Sequence, residues 1–225
     1  MSTTPSPTAF LERLHLSAYQ VAEAARYAHT TPRTVARWYF GGGDLGPILP
    51  GKERKIGLSY LQLVEVAFVA SFRQMGISSN QVRRAREYLQ QAFGFEYPFA
   101  QQRLYTEGRH ILVRAPDDWG EELRKVIVAD RQGQYAWPKI LAERFEQFDY
   151  DYNLAVRWHP AGRRSSVTID PRISFGAPAV RGVSTVALKH RFEAGEGIAE
   201  LSEDFAVPED EVRQALTFEG VKLAA

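Results

Sequence analysis

Arg33 and Arg37 stand four residues apart in the stretch TTPRTVARWYF, with Thr34 between them. On a helix this spacing brings both guanidiniums to one side, opposite Val35, Trp38 and Tyr39. A guanidinium is permanently charged, and its planar fork of donors matches phosphate oxygens and the edge of guanine. The chemistry on offer is recognition of nucleic acid, through phosphates first and through one base contact at most. Lys52, Arg54 and Lys55 supply further positive charge in GGGDLGPILPGKERKIG. Arginines four apart are also common on an ordinary solvated helix, so the spacing alone leaves both readings open.

The acidic residues offer a different chemistry. Glu146, Asp149 and Asp151 lie close together around FEQFDYDY, and carboxylate clusters can hold Mg²⁺ in nucleases. No histidine or lysine stands nearby as a general base. The histidines, at 15, 29, 110, 159 and 190, lack ligand spacing, and no G-x-S-x-G, Walker or H-E-x-x-H pattern occurs. Asp149 and Asp151 therefore read as structural turn residues, and the chain is expected to be no enzyme and to need no metal or cofactor. There is no cysteine, hence no disulfide framework and no thiolate site, which suits a reducing cytosol. The N-terminal MSTTPSPTAF lacks a basic region followed by an apolar run, and nowhere do eighteen apolar residues follow one another. A cytoplasmic location away from membranes is the expectation.

Several elements must position the arginines. Thr31 is placed to cap a helix that begins at Pro32. Upstream, VAEAARYA (Val21 to Ala28) is a short helix whose Ala24 and Ala25 permit close contact, and His29 and Thr30 form a tight connection. Two short helices and a turn make a helix-turn-helix. The glycines and Pro-Gly that follow suggest a wing, a β-hairpin tipped by Lys52, Arg54 and Lys55; a flexible linker is the alternative. Ser59 with Gln62, and Ser78 with Gln81, have capping-box spacing. Leu58 with Leu63, and Ile77 with Val82, stand as hydrophobic staples. The first of these helices runs to Met75 with Gly76 after it; the second stops near Gly94 and carries Arg83, Arg84 and Arg86 on a face expected to be solvated.

Farther on, Arg103 to Ala115 reads as two strands about a Glu107-Gly108 turn. Trp137 to Phe148 reads as a helix with Ile140, Leu141, Phe145 and Phe148 inward. Leu154 to Trp158 alternates as a strand and is expected to join that hairpin in one small sheet. His159 to Val183, rich in Pro and Gly, should form an extended arm. Three short helices then follow, Thr185 to Ala194, Ile198 to Phe205 and Pro208 to Phe218. Val186, Phe192, Ile198, Leu201, Val212 and Leu216 are their expected core. The fold class is mainly α with a small antiparallel β-sheet, in four parts: a loosely ordered 1–16, a winged helix-turn-helix over 17–94, an α+β middle over 95–166, and an arm with a three-helix bundle over 167–225.

Charge is graded along this plan. Residues 1–92 hold eleven Lys and Arg against six Asp and Glu (net +5), residues 93–166 are balanced, and residues 167–225 hold six against ten (net −4). The last helix opens on Glu209, Asp210 and Glu211, where a recognition helix would meet phosphates, so the terminal bundle is read as protein-binding or structural.

YQVAEAARYAHTTPRTVARWYF and LSYLQLVEVAFVASFRQMGISSNQVRRAREYL resemble the MerR-type winged helix-turn-helix over about residues 17–92. That resemblance implies that the helix of Arg33, Thr34 and Arg37 lies in a DNA major groove. His29 occupies a place where such proteins often have glycine, and histidine is among the residues that tolerate positive φ. Residues 167–219, with Asp170-Pro171-Arg172, Phe175-Gly176, Pro178, Gly182, Ala194-Gly195-Glu196 and Asp204-Phe205, resemble a small domain of antitoxins paired with PIN-domain ribonucleases. Many relatives read Gly-Thr-Arg where this chain has Gly182-Val183-Ser184. The whole chain resembles a Vap-type antitoxin. The resemblance implies operator DNA and a PIN-domain toxin as partners, and the symmetry of operator binding suggests a homodimer. PIN toxins hold Mg²⁺ in an acidic pocket that an arginine could enter. Arg172 and Arg181, beside Phe175, are the candidates, with Arg163 and Arg164 as rivals; the equal alternative is that these arginines satisfy the arm's own carbonyls or Asp170. Two other functions stay open: a ligand-responsive regulator with an apolar pocket of Trp119, Trp137, Tyr150 and Trp158, and a nuclease using Asp149 and Asp151.

Overall fold

Local capping chemistry fixes most helix starts in the computed structural model, which describes residues 7–41, 46–49, 51, 57–105, 128–129, 135–136 and 138–223. Among these residues the fold is mainly helical with small antiparallel strand pairs. The chain divides into two compact units. One comprises His15–Glu146 with Tyr150–Ala155, the other Met1–Leu14, Gln147–Asp149 and Val156–Ala225. The expected middle region is thus shared between the units.

In the front unit, α2 (Val21–Tyr27) and α3 (Pro32–Phe40) form the helix-turn-helix. The intervening turn closes with Thr30 N–H donating to the Ala25 carbonyl at 2.8 Å while His29 takes a φ of 53°. Ala24 and Ala25 are fully buried, which lets the two helices approach closely. α4 (Tyr60–Gln74) is buried from Tyr60 through Phe72, as a helix apolar on nearly every side must be. Both capping boxes are formed: Ser59 N–H donates to Gln62 at 2.9 Å, and Ser78 N–H to Gln81 at 2.8 Å. α5 (Ser79–Phe93) ends on Gly94 at a φ of 68°, a left-handed cap that favours glycine.

α5 overturns the expectation of a solvated arginine face. Arg83 and Arg86 are only 7% and 5% exposed, and Arg84 alone of the three is exposed. Arg86 Nε donates to buried Glu65 on α4 at 2.8 Å, and its other nitrogens donate to Gln90 and the Glu96 carbonyl. The second Glu65 oxygen accepts the Phe99 N–H at 2.7 Å. Burial pushes the Glu65 carboxyl up, and Arg86 pulls part of the way back. Arg83 donates to the Pro47 and Gly46 carbonyls at 3.2 and 2.7 Å. It ties α5 to the segment that follows α3.

The rest of the front unit departs from the sequence in detail. The first expected strand of the 103–115 hairpin begins instead as helix over residues 102–105, because three alternating residues cannot separate the two periods; 106–115 lie outside the described residues. Two short strands, β1 (Val128–Ala129) and β2 (Tyr135–Ala136), pair antiparallel. α6 (Lys139–Glu146) buries Leu141 and Phe145 but leaves Ile140 at 41% exposure, since the apolar stripe follows positions 141 and 145. β3 (Phe148–Asp151) replaces the expected helix end and turn. It pairs with β4 (Leu154–Trp158), which was expected to pair with the 103–115 hairpin. The turn itself is Tyr152-Asn153, both at positive φ, the two-residue hairpin geometry that suits strand twist.

In the rear unit, α1 (Pro7–His15) is a helix where loose order was expected; Phe10 and Leu14 are buried and hold it. The arm carries a hairpin, β5 (Ala179–Val180) with β6 (Val183–Ser184), turning on Arg181-Gly182. α7 (Thr185–Glu193), α8 (Ile198–Phe205) and α9 (Glu209–Phe218) follow at nearly the expected positions. Their core is Leu188, Leu201, Val212, Ala215 and Leu216 with Val167, Val180 and Val207. Leu188 takes the place expected for Val186, because Thr185, Leu188 and Phe192 share one face at spacings of three and four.

Candidate functional site

α3 is built so that its basic side stays clear. Thr31 caps it, its hydroxyl accepting the Thr34 N–H at 3.2 Å, and Pro32 opens the first turn. Val35, Trp38 and Tyr39 are buried at 0%, 3% and 5% exposure and anchor the opposite side. Arg33 and Arg37 are both exposed, and neither side chain has a hydrogen bond or ion pair among the described residues. Thr34 lies between them, half-buried, with its hydroxyl 2.9 Å from that of Thr31. The structure thus brings Arg33, Thr34 and Arg37 together on one surface that has no acidic partner among the described residues. Lys52, Arg54 and Lys55 lie outside the described residues. The flanks of their segment are fixed: Ile48 and Leu49 N–H both donate to the Trp38 carbonyl at 2.9 Å, and Leu58 bridges to Tyr19.

Sequence reading missed two residues beside this surface. Arg73 and Gln74, in the last turn of α4, line a cleft of about 270 Å³ with His29, Thr30, Thr34 and Arg37. The Arg73 guanidinium donates to the Ile77 carbonyl. No signal in the sequence pairs the end of one helix with the middle of another thirty-odd residues earlier.

The rear candidates occupy a strained loop. Ser174, Phe175 and Gly176 take φ of 47°, 54° and 81°, three left-handed residues in a row. Left-handed backbone costs a non-glycine residue about 1–2 kcal/mol, and such strain is held by its surroundings. Here Ser174 Oγ donates to the Gly182 carbonyl at 2.8 Å, joining this loop to the β5–β6 turn. Phe175 is 96% exposed, the extreme among large apolar side chains of the described residues. Arg172 is engaged within the chain: Nε and Nη2 donate to Asp170 at 2.9 and 2.7 Å, and its guanidinium lies 4.8 Å over the Phe10 ring. Arg181 is more open, grasping Glu211 through Nε and Nη2 at 2.9–3.0 Å with its side chain 58% exposed. Hydrogen bonds and charge from Glu211 raise the Arg181 pKa.

Asp149 and Asp151 of the acidic cluster are both engaged within the fold. Asp149 accepts hydrogen bonds from Arg157, His159 and Arg163, and Asp151 accepts from the Tyr152 N–H in the hairpin turn. Burial pushes the Asp149 carboxyl up, but the hydrogen bonds from Arg163 and His159 outweigh it and hold the group below its usual range. Asp170 behaves alike, with desolvation outweighed by Arg172 and Arg157. Of the rival arginines, Arg163 is tied to Asp149 and the Phe148 carbonyl, and Arg164 is exposed. Among the described residues no group of His, Asp or Glu is placed to hold a metal ion. Of the aromatic pocket candidates, Trp119 and Trp137 lie outside the described residues. Trp158 is buried core stacked on Phe148, and Tyr150 stacks on Tyr105. No helix among the described residues is long and apolar enough to cross a membrane.

No family model and no curated protein matches this chain. Among solved structures it is similar to the crystal structure of Rv2018 from Mycobacterium tuberculosis, with 26% identity and a TM-score of 0.76. The match covers 91% of this chain and 99% of that one, so the mainly helical fold with its small antiparallel β part has an experimental counterpart.

Proposed function

We propose that the chain is the antitoxin of a toxin–antitoxin pair, binding operator DNA through its front unit to repress its own operon and a PIN-domain ribonuclease through its rear unit. The observation that carries this reading is the surface of Arg33, Thr34 and Arg37. Two permanent cations stand without a carboxylate partner among the described residues, on a capped helix of a helix-turn-helix. Unpaired surface arginines in that position supply phosphate affinity and one base contact. Support for the second partner comes from Phe175. An aromatic side chain exposed on a strained, hydrogen-bonded loop is a preformed anchor of the kind that dominates protein interfaces. Arg181, exchanging Glu211 for a carboxylate of the acidic ribonuclease pocket, adds charge complementarity, while Arg172 stays with Asp170 and shapes the loop.

Two experiments test the two halves. Arg33→Ala and Arg37→Ala are titrated against the chain's own promoter, and each is expected to weaken binding; unchanged affinity removes the groove assignment. The chain is also co-expressed with a neighbouring PIN-type ribonuclease. Retention of the nuclease by the wild type and its loss with Phe175→Ala are expected, and failure of the wild type to retain it ends the antitoxin reading.

A further inference from the structure

We infer that the cleft between α3 and the end of α4 is a seat for one DNA backbone phosphate, and that Arg37 and Arg73 share that phosphate while Arg33 is left to read a base. The inference rests on the DNA-binding reading above and divides its residues by role. At about 270 Å³ the cleft lies under the range of small-molecule sites, roughly 300–1,000 Å³. Its lining is Arg37, Arg73, His29, Thr30, Thr34 and Gln74 with Trp38 and Ala70, and includes no carboxylate among the described residues. That is the composition of an anion site.

The two guanidiniums differ usefully. Arg73 is fixed from behind by its hydrogen bond to the Ile77 carbonyl, and its other N–H groups have no partner among the described residues. The Arg37 guanidinium has no partner among the described residues and is free to close on the bound group. Arg33, one turn earlier on the same helix, does not line the cleft. Arg73 belongs to the helix behind the recognition helix, so a group gripped by both helices lies at the margin of the groove, where the sugar-phosphate strand runs. Phosphate contacts set register and carry no sequence information, whereas base contacts do.

The test uses the intact chain with its own promoter and with an unrelated duplex, over a salt series. Arg73→Gln is expected to weaken binding to both duplexes by the same factor and to reduce the slope of log affinity against log salt by about one, the signature of a lost phosphate contact. Arg37→Ala is expected to do the same. The double variant is expected to lose less than the two single losses combined, because both act on one group. Arg33→Ala should lose affinity for the promoter alone. Arg73→Lys, which keeps the charge, should retain the slope and controls for any structural role at the helix end. An unchanged slope with Arg73→Gln, or a loss confined to the promoter, overturns the assignment. If the wild type binds neither duplex, the DNA reading itself falls. In that event inorganic phosphate is titrated while the Arg73 side-chain signal is followed by NMR, and saturable binding there would reassign the cleft to a free anion.

Discussion

Guanidinium groups are used differently in the two units. In the front unit they go to extremes: Arg83 and Arg86 are buried in hydrogen-bond networks, whereas Arg33 and Arg37 stand exposed without a partner among the described residues. In the rear unit Arg172 pairs with Asp170, Arg181 with Glu211, Arg191 with Glu196 and Asp204, and Arg213 with Glu209. The surface charge of these four rear arginines is therefore cancelled locally, while that of Arg33 and Arg37 is displayed. Formal charge along the chain understates this contrast. What a polyanion would meet is the part without an acidic partner, and among the described residues α3 carries such a part; the third helix of the rear bundle, α9, opens on three carboxylates.

The largest expected effect separates buried from displayed arginine. Arg86→Ala leaves the Glu65 carboxylate without its charged partner in the core and is expected to cost about 3–5 kcal/mol of stability, measured by urea unfolding. Replacing the pair together, Glu65→Leu with Arg86→Met, should recover most of that loss. Arg33→Ala is the counterpart: no change in unfolding, and a loss of about 1–3 kcal/mol in promoter affinity. If Arg33→Ala lowers stability instead, the guanidinium belongs to the fold and the contrast fails.

Acid titration sharpens the rear side. Asp170 and Asp149 titrate lower in the folded chain than their usual values, so over that range the unfolded chain binds more protons and stability rises with pH. Their contribution is complete above the ordinary aspartate range and is lost as pH falls through the depressed folded values. Asp170→Asn is expected to flatten this acid limb in a thermal-melt series, with little change in its shape at neutral pH. A small effect on stability is expected at the Arg181–Glu211 pair: Glu211→Gln should move the melting midpoint little, since the Arg181 side chain is 58% exposed and solvent screens the pair. It frees Arg181, so retention of the ribonuclease should strengthen, and weaker retention would count against Arg181 as a contact.

Local chemistry was the legible part of this sequence. The Ser59 and Ser78 capping boxes, the Thr31 cap, the positive φ at His29 and the three C-terminal helices depend on residues within four positions of one another, and all are present. The burial of Arg86 was hidden because it depends on Glu65, twenty-one residues away on another helix. α1 escaped notice because a short polar segment with Phe10 and Leu14 shows its purpose only when something covers them. The candidate site divides the same way. Arg33, Thr34 and Arg37 share one helix and could be read from spacing, whereas Arg73 joins them only through packing. Phe175 was legible as a residue of interest, yet its left-handed backbone was not, since nothing in Ser-Phe-Gly dictates it.

Hydrogen exchange on the intact chain, with and without duplex from its own promoter, tests the contrast between the units most directly. Added DNA is expected to slow exchange in Pro32–Phe40 and at the end of Tyr60–Gln74, and to leave Glu209–Phe218 unchanged. Protection that appears in Glu209–Phe218, with Pro32–Phe40 exchanging as before, would contradict the account.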